Sequence, residues 1–559
     1  MTKPLSPARS GSNSSKCNPM LARAVIALFL LMGGALFWCA GHSELISQEA
    51  YYWTYAKHPA LSYYDHPPMV AWLIGMGTVC FGDTELGVRF LHLSLYFGSA
   101  FLMFLTARAW FGWRTAFWAA LIFAATPFYI ATGFIASPDG PLIFFWLLTL
   151  YTLSRALQEK STRWWFFSGL ALGAAMLSKY PAVVLVPSFL LFLFFSPQHR
   201  FWLRRPQPWM AACVAVLVFS PVIVWNAQHD WASFLFQSTR TMAQGSHKPI
   251  HRILEFWAIQ PLLLTPFLFV LFGIGAVRAI QRGWLQHDER WNFAVSFALP
   301  ILLICFLSGL KTDHIRFQWT APAYLSLTLA GAAVFAEGTG SEDPRRARHW
   351  QRFGWAAGVF SAAVILLGLS FFTLGLPKIS AVRVPLGCWR ELANKVEAAE
   401  ARLQAQTGRE PFILGFDKYK MSASLGFYSG EPEKQVNRFA LGQPGFAYRY
   451  WTDLQAWKGR PAIAVLAESN ESDLDTLRKY FDRVSRPSVV QVTTVDRRTR
   501  TFYLADCYGY RPAPEAPILE SRNCFQEGAV LRRSSYPAMS SCGMGETLFL
   551  FLFRPSPAR

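Results

Sequence analysis

The chain reads as a polytopic α-helical membrane protein with a soluble α/β domain at its C-terminal end, and three observations predict this class. Its 559 residues are 53% hydrophobic and 16% aromatic but only 16% charged, an apolar excess suited to lipid rather than to one soluble core. Apolar windows long enough to cross about 30 Å of hydrocarbon recur as far as residue 376. Basic residues gather in alternate loops between those windows. A formal charge of +19 would suggest nucleic acid in a soluble protein, but here Lys and Arg set topology and meet anionic headgroups. No basic-aromatic groove or finger spacing is present, so nucleic acid is not an expected partner.

The first window, 21–41, follows Lys3, Arg9, Lys16 and Arg23 as a signal peptide would, but its length of about 20 residues fits a span better. Further windows lie at 90–110, 115–134, 141–157, 165–178, 181–197, 208–226, 254–277, 291–310, 317–336 and 353–376, about eleven helices in all. Ser178-Lys179-Tyr180-Pro181 is a charged, proline-bearing break, read as a turn between two short windows.

The positive-inside rule tests the count, because an error of one span would scatter the basic residues on both sides. With the N-terminus inside, the cytoplasmic loops hold Arg108 and Arg114, then Arg155, Lys160 and Arg163, then His199, Arg200, Arg204 and Arg205. Arg278, Arg282 and Arg290 follow, then Arg345, Arg346, Arg348 and Arg352. The C-terminal tail then lies outside. Lys179, Arg240, Lys248, Arg252, Lys311 and Arg316 fall on the outer side against the bias; a lipid-linked phosphate would explain them, and so would snorkelling to headgroups.

In the first outer loop, Ser47-Gln48-Glu49-Ala50-Tyr51-Tyr52-Trp53 predicts a short interfacial amphipathic helix. A second is expected at Asp65-His66-Pro67-Pro68-Met69, where proline suits a helix start and Asp65 favours the dipole or serves as N-cap. FGDTELGVRF, at 81–90, leads into the second span.

With EAYYW, YYDHPPMVAWLI, FGDTELGVRF, SPDGPLIFFW, LSKYPA, SPVIVWNAQHDWASF and RFQWTAPAYL in this order, the chain resembles the bacterial membrane glycosyltransferases related to protein O-mannosyltransferases and lipid A aminoarabinose transferase. The resemblance to this family 39-like group runs through nearly the whole chain; each motif is weak alone, and their order at the loops carries it. It implies a GT-C fold at a bacterial inner membrane, a polyprenyl-phosphate sugar donor, and an active site between the first outer loop and the outer helix ends. The expected reaction is inverting transfer of one monosaccharide, a hexose or pentose, to lipid A, another glycan or protein at the periplasmic face. Family members carry an Asp-Glu pair at the first interfacial helix, with the Asp central to catalysis. Here Gln48 stands in that Asp position, and an amide cannot act as a base near neutral pH, so the usual assignment does not transfer.

Such a transfer needs a base for the acceptor hydroxyl and positive charge for the leaving phosphate. Glu49, Asp65 and Asp139 are the outer carboxylates, with Asp65 favoured as base and Glu49 next; in the aminoarabinose transferases the turn matching Asp-His-Pro-Pro also carries an acidic residue. These three would also suit a divalent metal, although isolated carboxylates without fixed spacing are weak evidence for one. Lys179 is the first choice for the phosphate, followed by Lys311, His314 and Arg316. His66 can donate to phosphate or be satisfied by Asp65 or backbone. Arg240 belongs to a long outer loop able to close over the donor, or simply solvated. Gln48, Tyr63 and the neighbouring aromatics can frame a sugar, and an interfacial aromatic belt explains the aromatics equally well.

After residue 376 the chain turns polar, and its expected organisation is a transmembrane domain over 1–376 and an extracytoplasmic α/β domain over 377–559. Strands are expected at 411–416, 462–466, 489–495, 501–505 and 547–553, helices near 391–405 and 474–484. No Gly-rich phosphate loop or nucleophile elbow occurs there, which points to acceptor binding or shielding. The cysteines show no metal spacing; Cys388, Cys507, Cys524 and Cys542 lie where a disulfide is permitted, with no pairing legible. The rival class is a transporter or flippase of lipid-linked sugars, which should carry midplane polar residues and a repeat between halves; neither is seen.

Overall fold

The computed structural model describes residues 19–242, 249–311, 317–376 and 387–512. The chain begins with α1 (Pro19–His42), two short helices α2 (Ser47–Lys57) and α3 (Met69–Phe81), then the long α4 (Glu85–Phe111). There follow α5 (Trp113–Ala124), α6 (Pro127–Phe134), α7 (Asp139–Glu159), α8 (Thr162–Ser178), α9 (Leu185–Phe194) and α10 (Pro206–Gln228). Then come α11 (Ala232–Met242), α12 (Pro249–Leu264), α13 (Pro266–Ala279), α14 (Glu289–Lys311), α15 (Ala321–Thr339) and α16 (Pro344–Leu374). Seven spans among the described residues are long and apolar enough to cross a bilayer, and two further pairs, α1 with α2 and α5 with α6, are bent by 80° and 63°. The protein is a multi-pass membrane protein.

Prolines decide where the apolar windows break. The window 254–277 is two helices, because Pro266 has no N–H to continue α12 and Thr265 turns out at φ 86° before it. The window 115–134 likewise divides at Pro127 into α5 and α6. The Lys179 break has its expected form: α8 ends at Ser178, Lys179 is extended, and a 3-10 turn over Tyr180–Val184 follows.

Loop ends assigned to one side meet in space. Arg282 pairs with Glu337 at 2.5 Å, His199 with Glu289 at 3.4 Å, and Arg114 donates to the Thr339 hydroxyl at 3.4 Å. At the other end, Tyr180 and Ser233 hydroxyls lie 2.5 Å apart and Gln237 donates to the Asp65 carbonyl at 2.7 Å.

The two short helices form as the first outer loop predicts, but α3 starts at Met69 with Pro68 as a cap lacking a side-chain bond, so Asp65 does not cap it. FGDTELGVRF now has a part for each polar residue. Asp83 accepts from Trp53 Nε1 at 2.7 Å and from Lys57 at 2.6 Å, fastening α2. Thr84 caps α4 by accepting from Gly87 N at 3.0 Å. Gly77 and Gly87 let α3 and α4 touch, since a Cβ at Gly77 would stand 2.2 Å from the Gly87 carbonyl oxygen.

The C-terminal part contains α17 (Trp389–Thr407), β1 (Phe412–Gly415), α18 (Lys420–Ser429), β2 (Gln435–Val436), β3 (Ala462–Leu466), α19 (Glu471–Tyr480), β4 (Phe481–Val484), β5 (Ser488–Thr493) and β6 (Thr499–Tyr510). The strands run β2-β1-β3-β6-β4, with β5 also on β6; β1 is parallel to β2 and β3, and β6 is antiparallel to its partners. The expected helix at 474–484 changes state at Phe481, which pairs across to Tyr510 and starts β4. Cys388 and Cys507 are buried free thiols. The expected strand at 547–553, Cys524 and Cys542 lie outside the described residues.

Candidate active site

Helix α2 is held by a buried ion pair. Arg89 donates from Nε to Glu49 Oε1 at 2.7 Å and from Nη2 to Oε2 at 2.6 Å, both side chains being fully buried. Ala136 N adds a bond to Oε1 at 2.9 Å and Ile46 N one to Oε2 at 3.0 Å, so each Glu49 oxygen has two donors. The other Arg89 donors reach the carbonyls of Ala40, Ser43 and Glu44. Two buried ions cost several kcal/mol each to desolvate, and only such complete hydrogen bonding offsets that. Glu49 thereby ties α2 to α4 and to the strand-like turn that leads into α7.

Asp65 is 6% exposed and faces α2 rather than its own helix. Its Oδ1 accepts from Tyr51 at 3.2 Å and from the Tyr55 hydroxyl. Tyr63 stacks on Tyr55 with centroids 4.1 Å apart and donates to the Tyr55 carbonyl at 2.8 Å. Burial first, then the Asp65 charge, hold the phenols of Tyr51, Tyr52 and Tyr55 well above the ordinary tyrosine range, so they remain donors.

Tyr52 lies between two charged groups, feeling both Asp65 and Asp139. Gln48 donates to its hydroxyl at 3.0 Å, and His66 meets its ring edge-on at 5.7 Å. Asp139 opens α7, where a negative charge suits the helix dipole, and accepts from Lys179 Nζ at 2.7 Å; the two side chains are 14% and 12% exposed. The Lys179 charge is thus balanced by the Asp139 carboxylate. Asp65, Gln48, His66, Asp139, Lys179 and Tyr63 therefore belong to one neighbourhood. Among the described residues, no three His, Cys, Asp or Glu side chains converge as a metal site, Glu49, Asp65 and Asp139 included. Arg240 lies in α11 and Lys311 ends α14, but their side chains, and all of His314 and Arg316, lie outside the described residues.

Two groups escaped the sequence reading. Tyr55 is one α-helical turn beyond Tyr51, and the spacing of four could have found it. Phe446, Tyr448 and Trp451 arrive from the C-terminal part, which no local pattern signals.

Helices of this arrangement, with two short helices in the first loop and a sheet-containing C-terminal domain, define a multi-pass helical membrane fold. Residues 65–225 match the family described as dolichyl-phosphate-mannose-protein mannosyltransferase. The lipid A galacturonosyltransferase RgtD of Rhizobium johnstonii is 28% identical over 290 residues, covering 51% of this chain and 60% of that protein. An uncharacterized protein of Aquifex aeolicus is 33% identical over 434 residues, covering 74% and 82%. The crystal structure of ArnT from Cupriavidus metallidurans bound to undecaprenyl phosphate superposes with TM-score 0.58 at 16% identity, covering 86% of this chain and 98% of that one. The chain therefore has the GT-C fold, and its segment 65–225 is similar to a glycosyltransferase family.

Proposed function

We propose that the protein is a glycosyltransferase that moves one monosaccharide, with inversion, from a polyprenyl-phosphate donor to an envelope acceptor at the periplasmic face of the inner membrane. The observation that carries this reading is the tyrosine-held carboxylate of Asp65 beside the Asp139–Lys179 pair, at the end of the bundle where the outer loops meet. In this scheme the N-terminus is cytoplasmic, 1–376 form the membrane domain and 377–559 the periplasmic one.

Asp65 takes the proton of the acceptor hydroxyl as its oxygen bonds to the anomeric carbon, and the carbon–oxygen bond to the carrier phosphate breaks. Lys179 turns from Asp139 toward the departing phosphate, with His66 as a second donor and Lys311, His314, Arg316 and Arg240 as further cations for the carrier. Glu49 serves as the anchor of α2, since all its acceptor sites are used. Gln48 and Tyr63 frame the sugar through Tyr52 and Tyr55. Lipid A is the favoured acceptor, supported by the name of the galacturonosyltransferase relative; other glycans and protein hydroxyls complete the class.

The test is sugar transfer by purified protein in liposomes containing polyprenyl-phosphate sugars and envelope lipid. Consumption of donor by wild type, lost in Asp65→Asn with folding intact, is the expected result. Passage of labelled carrier across the bilayer with no donor consumed would replace the enzyme by a flippase.

A further inference from the structure

The C-terminal domain reaches into the site through one short segment. Ala447 N donates to the Tyr51 hydroxyl at 3.2 Å, and that hydroxyl donates to Asp65 Oδ1 at 3.2 Å. Trp451 lies flat on His58 at 4.6 Å and edge-on to Tyr55 at 5.4 Å, while Tyr448 lies parallel to Tyr51 at 6.3 Å. The same segment is braced from behind. Buried Asn437 donates to the Gly445 carbonyl at 3.0 Å and accepts from Phe439 N at 3.0 Å. A Cβ at Gly445 would stand 2.4 Å from Phe439 Cβ. Phe446 is left-handed at φ 52°, a costly conformation for a bulky residue, and its ring meets Tyr419 at 5.6 Å and Phe236 at 5.9 Å.

We propose that residues 445–451 of the C-terminal domain are a positioning element of the reaction centre, holding Tyr51 and through it the Asp65 carboxylate. A domain that merely shielded the site would need neither a backbone donor aimed at Tyr51 nor a strained residue just before it. The proposal rests on the reading of Asp65 as base.

The titratable groups that face Asp65 include Tyr51, Tyr52 and Tyr55 from α2 and Tyr180 from the 3-10 turn. The phenols bond or repel the ionised carboxylate, and a donor to the ionised form lowers its pKa. Deleting the Tyr51 donor therefore moves the acid limb of kcat/KM to higher pH.

The experiment measures that limb for the full-length protein in liposomes, with near-ultraviolet circular dichroism as the folding check. Tyr51→Phe, which removes one oxygen, is expected to shift the limb up by about one pH unit. Trp451→Ala, on the other domain, is expected to shift it the same way and Trp451→Phe to restore it. The double variant Tyr51→Phe/Trp451→Ala should shift by less than the sum of the two single variants, because Trp451 packs on both Tyr51 and Tyr55 and one of those two links to Asp65 is then already cut. A limb that Trp451→Ala leaves in place, or shifts that simply add, overturns the proposal while leaving Asp65 as base. Wild-type rates in Asp65→Asn overturn the base assignment and this proposal together.

Discussion

At the scale of single residues, the two carboxylates favoured from sequence have opposite surroundings. Asp65 has phenolic donors on one oxygen where Glu49 has the Arg89 guanidinium across both of its own, and replacing Asp65 by Asn should lower transfer by at least about 10²-fold with little change in thermal stability, as activity and Tm together will show. Glu49 is the reverse case. Arg89→Ala leaves that carboxylate buried without its cation and should cost ~3–5 kcal/mol, read as a large fall in Tm in detergent. Sequence alone put Asp65 first and Glu49 next as candidates for the same role, since both are acidic and both lie in the first loop. What separates them is Arg89, forty positions away, whose meaning emerges only when α4 packs beside α2. Gln48 was legible as a departure, and its contact with Tyr52 shows the amide acting as a donor where a carboxylate would only accept.

At the scale of elements, hydrophobic length located nearly every helix, while helix breaks needed stereochemistry. A hydropathy window averages across Thr265 and Pro266, so one expected span at 254–277 is two helices. The helix expected at 474–484 fails at Phe481 for a different reason, since its ladder to Tyr510 is long-range and overrides local propensity. The start of α4 is a local matter, and its cap is testable. Thr84→Ala should cost about 1 kcal/mol by exposing the Gly87 amide, with Tm as the measure. Gly87→Ala should cost more, because its Cβ would stand 2.2 Å from the Gly82 carbonyl oxygen and push α3 off α4.

At the scale of the whole molecule, the C-terminal domain is joined to the first outer loop at several points besides Tyr51. Leu45 N donates to Tyr428 at 2.7 Å, Trp389 N donates to Glu44 at 2.9 Å, and Arg390 pairs with Glu85 at 2.5 Å. Hydrogen exchange should therefore find the amides of Leu45, Trp389 and Ala447 protected as one unit, and Arg390→Ala should loosen all three. None of this was legible in the sequence, where the tail read as a separate unit, since its contacts join positions more than 300 residues apart. The arrangement also bears on how encounters happen. On the proposed topology the C-terminal domain covers Asp65 from the aqueous side, so a polyprenyl-phosphate donor and a lipid acceptor would arrive sideways, through the bilayer, and their encounter would belong to a two-dimensional world. Its speed should follow the mole fraction of each lipid in the bilayer, falling when inert phospholipid is added at fixed amounts of enzyme and donor.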